Sequence, residues 1–343
     1  MRRIAGVVGG ICLLVVVVIF VVCLPAQSAE EKVIKLRFAN FIPASHKITE
    51  QTEQWCREVE KRTNGRVKIT HFPGGTLVSA PQMWDATVKG VVDIGLSIQS
   101  YTKGRFPLSE VIDLPLGYSS GLQATRMANA FYKKFKPKEY DEVKVLLLHA
   151  HAPGYFQLRK TVKSLDEIKG LRIKASGTTG KIVEAFGGSN VTMPAPDAYD
   201  ALQKGLLDGV LISSDALKGL RYGDYLHCTL VNPGIAYTAA FFISMNKTKF
   251  ASLPPDIQKV IEQVSEEFID KFGKGWDDTA KEGEDFVRQK GKHTFVVATK
   301  EEVTKARETL KPLLTDYVQE MKAKNLPGEE VLKFCLDYLK TNP

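Results

Sequence analysis

The sequence predicts an α/β fold built as two similar lobes, on three observations. Near the start of the folded part, alternating and helical periodicities follow one another as strand, helix, strand, helix, strand, the pattern of an α/β unit. A ten-residue segment, Trp84-Asp85-Ala86-Thr87-Val88-Lys89-Gly90-Val91-Val92-Asp93, returns as Tyr199-Asp200-Ala201-Leu202-Gln203-Lys204-Gly205-Leu206-Leu207-Asp208, with five positions identical. The final third carries apolar residues at three- and four-residue steps, a helical stripe. Composition agrees: 343 residues, 44% hydrophobic and 25% charged, is ordinary for a folded soluble chain and excludes collagen-like, multi-span membrane and largely disordered classes. The length exceeds one ordinary core. Lys+Arg total 47 against 39 Asp+Glu, a formal net charge of +8. That excess is spread along helices, so it reads as a solvated surface and not as a nucleic-acid footprint.

The chain opens on Met1-Arg2-Arg3, continues through an apolar run at 4–24, and then offers small residues in Pro25-Ala26-Gln27-Ser28-Ala29. This is the layout of a secretory signal peptide over 1–29, which places the folded part in the periplasm. The apolar run is also long enough to span a bilayer, so an uncleaved membrane anchor is the alternative. Phe20 and Val22 ahead of Cys23 argue against a lipidated cysteine. Beyond the leader stand Cys56, Cys228 and Cys335. Three cysteines form at most one disulfide, and they read as buried free thiols. Their spacing suggests no zinc.

Ile34, Leu36 and Phe38 alternate with Lys35 and Arg37, which predicts a strand over 33–38. Ile48, Trp55 and Val59 fall at helical spacing, and Gly65 stands where that helix should stop. Val67 and Ile69 alternate with Lys68 and Thr70 in a second strand, broken by Pro73-Gly74-Gly75. A short helix over 82–89 ends at Gly90, and a strand over 91–96 follows. Each repeat copy is expected to follow a strand, at 66–70 and 171–175, and to precede an apolar run, at 94–98 and 210–212. One β-loop-α-β unit used twice implies two lobes and a cleft between them, a common place for a ligand. The plainer alternative is that helix-Gly-strand junctions resemble one another. After Leu253-Pro254-Pro255, the residues Ile257, Val260, Ile261, Val264, Phe268, Phe272 and Trp276 trace a long helical stripe that continues towards Phe286-Val287 and stops by Gly291. Gly273, Gly275 and Gly283 leave room for a bend or break. A strand at 293–297 and helices at 303–321 and 329–339 complete the reading.

Catalytic arrangements are not evident. Ser176-Gly177-Thr178-Thr179-Gly180-Lys181-Ile182 has two residues between its glycines and Ile182 after the lysine, whereas a phosphate loop needs four and a Ser or Thr. What it offers is a strand end, a turn and a helix start with unpaired N–H groups, suited to an anion. No Gly-x-Ser-x-Gly elbow is present. His149-Ala150-His151 could set two imidazoles on one side of a strand, but no acidic or cysteine neighbour supports a metal. The sequons at Asn190 and Asn246 are the short chance matches expected of such a motif. The remaining chemistry is cationic. Arg172 and Lys174 alternate with Leu171 and Ile173 and so share a strand face, with Arg159 and Lys160 upstream. Beside a helix start in a cleft they would bind a carboxylate; elsewhere they are solvated charge.

From Lys35 to about Lys322 the chain resembles the substrate-binding proteins of tripartite ATP-independent periplasmic (TRAP) transporters, dicarboxylate-binding type. The residues that carry the resemblance are Leu36-Arg37-Phe38-Ala39, Trp84-Asp85-Ala86 through Val92-Asp93-Ile94-Gly95, Leu114-Pro115, and Lys160 with Ser164-Leu165-Asp166-Glu167-Ile168-Lys169-Gly170-Leu171-Arg172-Ile173-Lys174. They continue in Tyr199 to Gly209, in Phe242-Ile243-Ser244-Met245-Asn246-Lys247, and in Leu253-Pro254. The resemblance implies a two-lobed periplasmic binding protein fold with a long helix spanning both lobes. The expected division is 30–157 plus 238–275 for the first lobe and 158–237 plus 276–343 for the second. It also implies an organic-acid ligand held by an arginine on the second-lobe strand. The family pattern there is Gly-Leu-Lys-Ile-Arg; this chain reads Gly170-Leu171-Arg172-Ile173-Lys174, so the clamp falls on Lys174, with Arg172 the contender. Lysine keeps the charge but loses the two-pronged donor. Lys160 matches a second basic position. Ser97, Gln99 and Tyr101 follow the first repeat, and their neutrality suggests a ligand with few charges beyond its carboxylate. Phe41, Tyr155, Ser213, Ser214 and Asp215 are expected at the cleft edges, Asp215 as an acceptor for a ligand hydroxyl or amine or as a helix cap. No catalytic residue, metal or cofactor is expected. The implied partners are the small and large integral-membrane TRAP subunits, with an ion gradient driving uptake. A receptor serving a sensor or another transporter is one alternative; a periplasmic enzyme on the same scaffold is the other.

Overall fold

The computed structural model describes residues 33–343, so the expected leader lies outside the described residues. Two sheets organise the chain. The first runs β2 (Val67–Phe72), β1 (Ile34–Asn40), β3 (Ile94–Ile98), β10 (Ala240–Asn246), β4 (Val143–Ala150). The second runs β11 (Thr294–Val297), β9 (Cys228–Val231), β5 (Gly154–Leu158), β8 (Gly209–Ser213), β6 (Arg172–Lys174), β7 (Ser189–Val191). The helices are α1 (Lys47–Arg62), α2 (Met83–Val88), α3 (Gly121–Phe135), α4 (Thr179–Ala185), α5 (Ala198–Gln203), α6 (Asp215–Gly219), α7 (Lys247–Ala251), α8 (Pro255–Gln289), α9 (Lys300–Ala323) and α10 (Gly328–Thr341). Among the described residues no helix is long and apolar enough to cross a membrane.

The repeat is a structural one. In the first sheet β1 lies parallel between β2 and β3, and β10 runs antiparallel beside β3. In the second, β6 lies parallel between β7 and β8, and β5 runs antiparallel beside β8. The copies Trp84–Asp93 and Tyr199–Asp208 supply α2 and α5 and the turns into β3 and β8. The strand that precedes the second copy is β7, not the expected 171–175, which is the counterpart of β1. Ser189-Asn190-Val191 is a short edge strand without apolar alternation, so periodicity could not reveal it. In the first copy β3 starts at Ile94 and not at Val91, because Gly90 turns the chain at φ +71° and Val91 bonds back to Ala86.

The long stripe is one continuous helix of 35 residues, α8. Its apolar face from Ile257 to Trp276 joins Leu36, Phe38, Trp55, Ile94 and Ile243 in the first-sheet core. Val287, near its end, packs with Leu217 and Tyr222 of the second. Each large side chain fully buried in this way contributes roughly 1.5–3 kcal/mol. The three glycines do not break α8; they admit neighbours. A Cβ on Gly283 would collide with the Ser214 carbonyl at the start of α6.

The end of the chain differs from the expected division. α9 begins with Ala306 and Leu310 in the second-sheet core and ends with Tyr317 and Met321 in the first. α10 then packs Val331 and Cys335 beside Phe131 of α3, so it covers the first lobe. An amphipathic stripe shows that a helix is covered, not which lobe covers it. β5 likewise enters the second sheet from residue 154, ahead of the expected limit at 158. Cys56, Cys228 and Cys335 are free and buried.

Candidate functional site

In open α/β sheets ligands bind outside the carboxyl ends of the parallel strands, and both sheets turn those ends towards one cavity. Phe41, Ile42 and Pro43 follow β1; Ser100 and Tyr101 follow β3; Lys174 ends β6, with Ser176 and Thr179 beyond it; Asp215 follows β8. Asp113, His151, Tyr237, Phe241 and Trp276 close the wall. The cavity lies between the two sheets, with about 680 Å³ of empty space once the solvent at its open mouth is counted.

The lobes meet at its rims. The Tyr101 hydroxyl accepts from the Ala195 N–H at 2.7 Å. Gly177, at φ +55°, sits so close to Ser100 that a Cβ would clash. On the other rim His46 caps α1, its Nδ1 accepting from the Ile48 N–H at 3.2 Å. That contact leaves the ring proton on Nε2, which donates to Asp215 Oδ2 at 3.2 Å. Glu282 of α8 binds Lys47 from the first lobe and Lys218 from the second.

Lys174 is 4% exposed, lines the cavity, and has no hydrogen-bond or ion-pair partner among the described residues. Burial pulls its pKa down to about 8, against the smaller opposing pull of the Asp197 carboxylate. Burial pushes Asp113 up to about 8, although its Oδ1 accepts from the Ala240 N–H at 2.9 Å. His151 is lowered by burial, with Asp215 raising it and Lys174 lowering it further. It therefore stands within reach of both charges. A buried, unpaired ammonium in a cavity that Phe41, Tyr101, Tyr237, Phe241 and Trp276 also line can hold one anionic group and an apolar or aromatic body.

The structure brings Lys174, Tyr101, Phe41 and Asp215 of the expected residues to the cavity, and not the others. Arg172 opens β6 at its far end. Its guanidinium grips Asp208 at 2.9 Å and the Gly205 carbonyl at 3.0 Å. Arg37 makes the matching contacts to Asp93 and the Gly90 carbonyl in the first lobe. Arg172 is thus a repeated structural clamp. Lys160 is exposed. Ser97 donates to the Ala80 carbonyl at 3.0 Å, and Gln99 donates to the Tyr140 hydroxyl, both inside the first lobe. Tyr155 packs on the second-lobe core. Ser213 is buried without a partner, and Ser214 donates to Glu284 at 3.3 Å. Asp215 caps nothing: α6 has no side-chain cap. Sequence reasoning missed His46, Asp113 and the cavity role of His151, Phe241 and Trp276. The aromatics read as core, and His46 carried only the signal of a polar residue before a helix. His149 is core, stacked between Phe241 and Phe272 and accepting from Trp276 Nε1 at 2.9 Å.

Among similar solved structures, a TRAP periplasmic solute-binding protein of Desulfovibrio salexigens is 33% identical, with 90% of this chain and 96% of that one covered at a TM-score of 0.80. It is an open complex with the C-terminus of a symmetry mate in its ligand-binding site. A TRAP solute-binding protein of Rhodoferax ferrireducens, in complex with copurified benzoate, is 25% identical over 90% of this chain and 98% of its own, TM-score 0.85. One from Bordetella bronchiseptica with bound (R)- and (S)-mandelate is 25% identical over 90% and 100%, TM-score 0.83. The family model described as bacterial extracellular solute-binding protein, family 7, matches residues 38–320. With that match over most of its length, on two lobes joined by a spanning helix, the chain belongs to this family, the solute-binding proteins of TRAP transporters.

Proposed function

We propose that this receptor captures a small aromatic monocarboxylate between its lobes in the periplasm and delivers it to the small and large integral-membrane TRAP subunits for ion-gradient-driven uptake. The observation that carries the reading is Lys174: a buried ammonium with no ion-pair partner among the described residues, in a cavity with aromatic lining. A ligand carboxylate supplies the missing charge, and the rings of Phe41, Phe241 and Trp276 receive the body. The benzoate and mandelate bound by the two relatives have this shape and charge. The moving bodies follow the two sheets, the first lobe taking 33–153 plus 238–275 with α10 added, and the second taking the remainder around β5 to β9 and β11. Closure is the usual hinge response of such an architecture.

The test is a thermal-shift panel of aromatic acids, aliphatic acids, sugars and amines on ligand-stripped protein. A ligand at about 1,000 times its Kd stabilises the fold by about 4 kcal/mol. Aromatic monocarboxylates should raise the melting temperature most, and small-angle scattering should show contraction with them. A response to sugars or amines and to no carboxylate would refute the reading.

A further inference from the structure

We infer that Asp215 is a second recognition point, selecting monocarboxylates that also carry a hydrogen-bond donor, a hydroxyl or an amine, and turning away dicarboxylates. The inference rests on the proposed carboxylate site at Lys174. Asp215 is 5% exposed and lines the cavity. Its Oδ2 accepts from His46, but its Oδ1 is buried with no partner. The His46 contact holds the carboxylate in place, because the other ring nitrogen is committed to the Ile48 N–H. Among the described residues no donor, His151 included, makes a hydrogen bond to Oδ1. A buried acceptor left unmatched is costly, and a site built to bond a hydroxyl discriminates strongly against the analogue that lacks it. A second carboxylate there would meet like charge and find no proton.

The acceptor is completed at the junction of the lobes, since His46 belongs to the first lobe and Asp215 to the second. Separation of the lobes breaks that bond and lets water reach the carboxylate; closure removes the water. The selection is therefore applied at closure. A ligand without a donor still reaches Lys174 but leaves Asp215 Oδ1 dry and unpaired in the closed form.

Isothermal titration of ligand-stripped protein with benzoate, the three hydroxybenzoates, the three benzenedicarboxylates and phenol tests this, with Asp215→Leu and Asp215→Asn alongside. At least one hydroxybenzoate should bind roughly 10- to 150-fold tighter than benzoate, the worth of one bond to a charged acceptor. The dicarboxylates should bind more weakly than benzoate. Asp215→Leu should bring the hydroxybenzoates to within about threefold of benzoate. Asp215→Asn, which keeps the shape and the contact to His46, should admit a dicarboxylate and serves if the leucine variant does not fold. Small-angle scattering should show fuller contraction with the preferred hydroxybenzoate than with saturating benzoate. Equal binding of benzoate and every hydroxybenzoate by the unmutated protein, or a preference unchanged in both variants, overturns the inference. If no carboxylate binds but a neutral phenol does, and Asp215→Leu abolishes it, the Lys174 reading falls while the Asp215 inference stands. Binding of none of these compounds overturns both.

Discussion

Replacing Lys174 by Met should make the ligand-free protein more stable and a worse receptor. The cause is the burial of an ammonium that no ion pair among the described residues contacts and that Asp197 offsets only in part. Its pKa falls from 10.5 to about 8. A depression of about 2.5 units corresponds to roughly 3 kcal/mol spent on keeping the charge in the empty cavity, at 1.36 kcal/mol per unit. Methionine has a similar length and carries no such cost. The sign follows from linkage. Below about pH 8 the lysine is protonated in both folded and unfolded chains, and the full cost applies. Between about 8 and 10.5 the unfolded chain holds the proton longer, so wild-type stability rises with pH and the gap to the variant closes. Urea unfolding of both proteins at pH 7 and pH 10 reads this directly. The expected gain of Lys174→Met at pH 7 is up to about 3 kcal/mol, shrinking at pH 10. Titration should show the opposite effect on function, a loss of roughly 10- to 150-fold in affinity for an aromatic acid. Binding should also take up about half a proton near pH 8, as the carboxylate restores the lysine's charge; titrations in two buffers of different ionisation enthalpy measure it. A variant that is less stable at pH 7 without ligand, or that binds normally, would refute the reasoning.

Two further substitutions separate scaffold from site. Arg172→Met should leave ligand affinity unchanged and move the urea midpoint little, because its ion pair with Asp208 is solvent-exposed; a tenfold loss of binding would return Arg172 to the site. Gly283→Ala should lower stability by about 1–3 kcal/mol, because its Cβ would meet the Ser214 carbonyl; an unchanged melting temperature would mean that α6 and α8 separate at little cost.

What the sequence made legible follows from how much each element's pattern owes to its own burial. The helices α1 and α8 and the first half of β1 each bury one face and expose the other, so their periodicity is local and readable. β7 is an edge strand of three residues and has no such face. Among the site residues, Lys174 came through the family resemblance, while periodicity could not separate it from Arg172, two positions away on the same face. The structure separates them along the strand: Arg172 stands at the outer end and Lys174 at the cleft end. Ser97 and Gln99 precede Tyr101 in the right segment, but their side chains serve the first lobe. His46, Asp113 and His151 sit in turns and strand ends far apart in sequence. Only tertiary folding brings them together.

The repeat explains why the lysine of the cavity comes from the second lobe and has no counterpart in the first. Phe38 pairs with Ile94, and Ile173 pairs with Gly209, so the two central strands are in register. In that register Arg37 matches Arg172, and both clamp the turn that follows the repeated helix. One position after each register pair, the first lobe has Ala39 and the second has Lys174. The same register position thus carries a core methyl group, packed with Met83 and Val92, in the first lobe and the cavity's cation in the second. Around it both lobes mix polar and apolar groups, Phe41, Phe241, Asp113 and His151 from the first and Leu211, Ile212, Thr179 and Asp215 from the second, so the formal cation is what distinguishes the two sides. On the proposed reading, that asymmetry orients the ligand, with its carboxylate towards the second lobe and its ring towards the first. It also orders the events, because a charge-assisted contact can form on the second lobe alone, whereas burial of the ring needs both lobes. Capture then precedes closure, and the first lobe's aromatic wall supplies the free energy that holds the closed form.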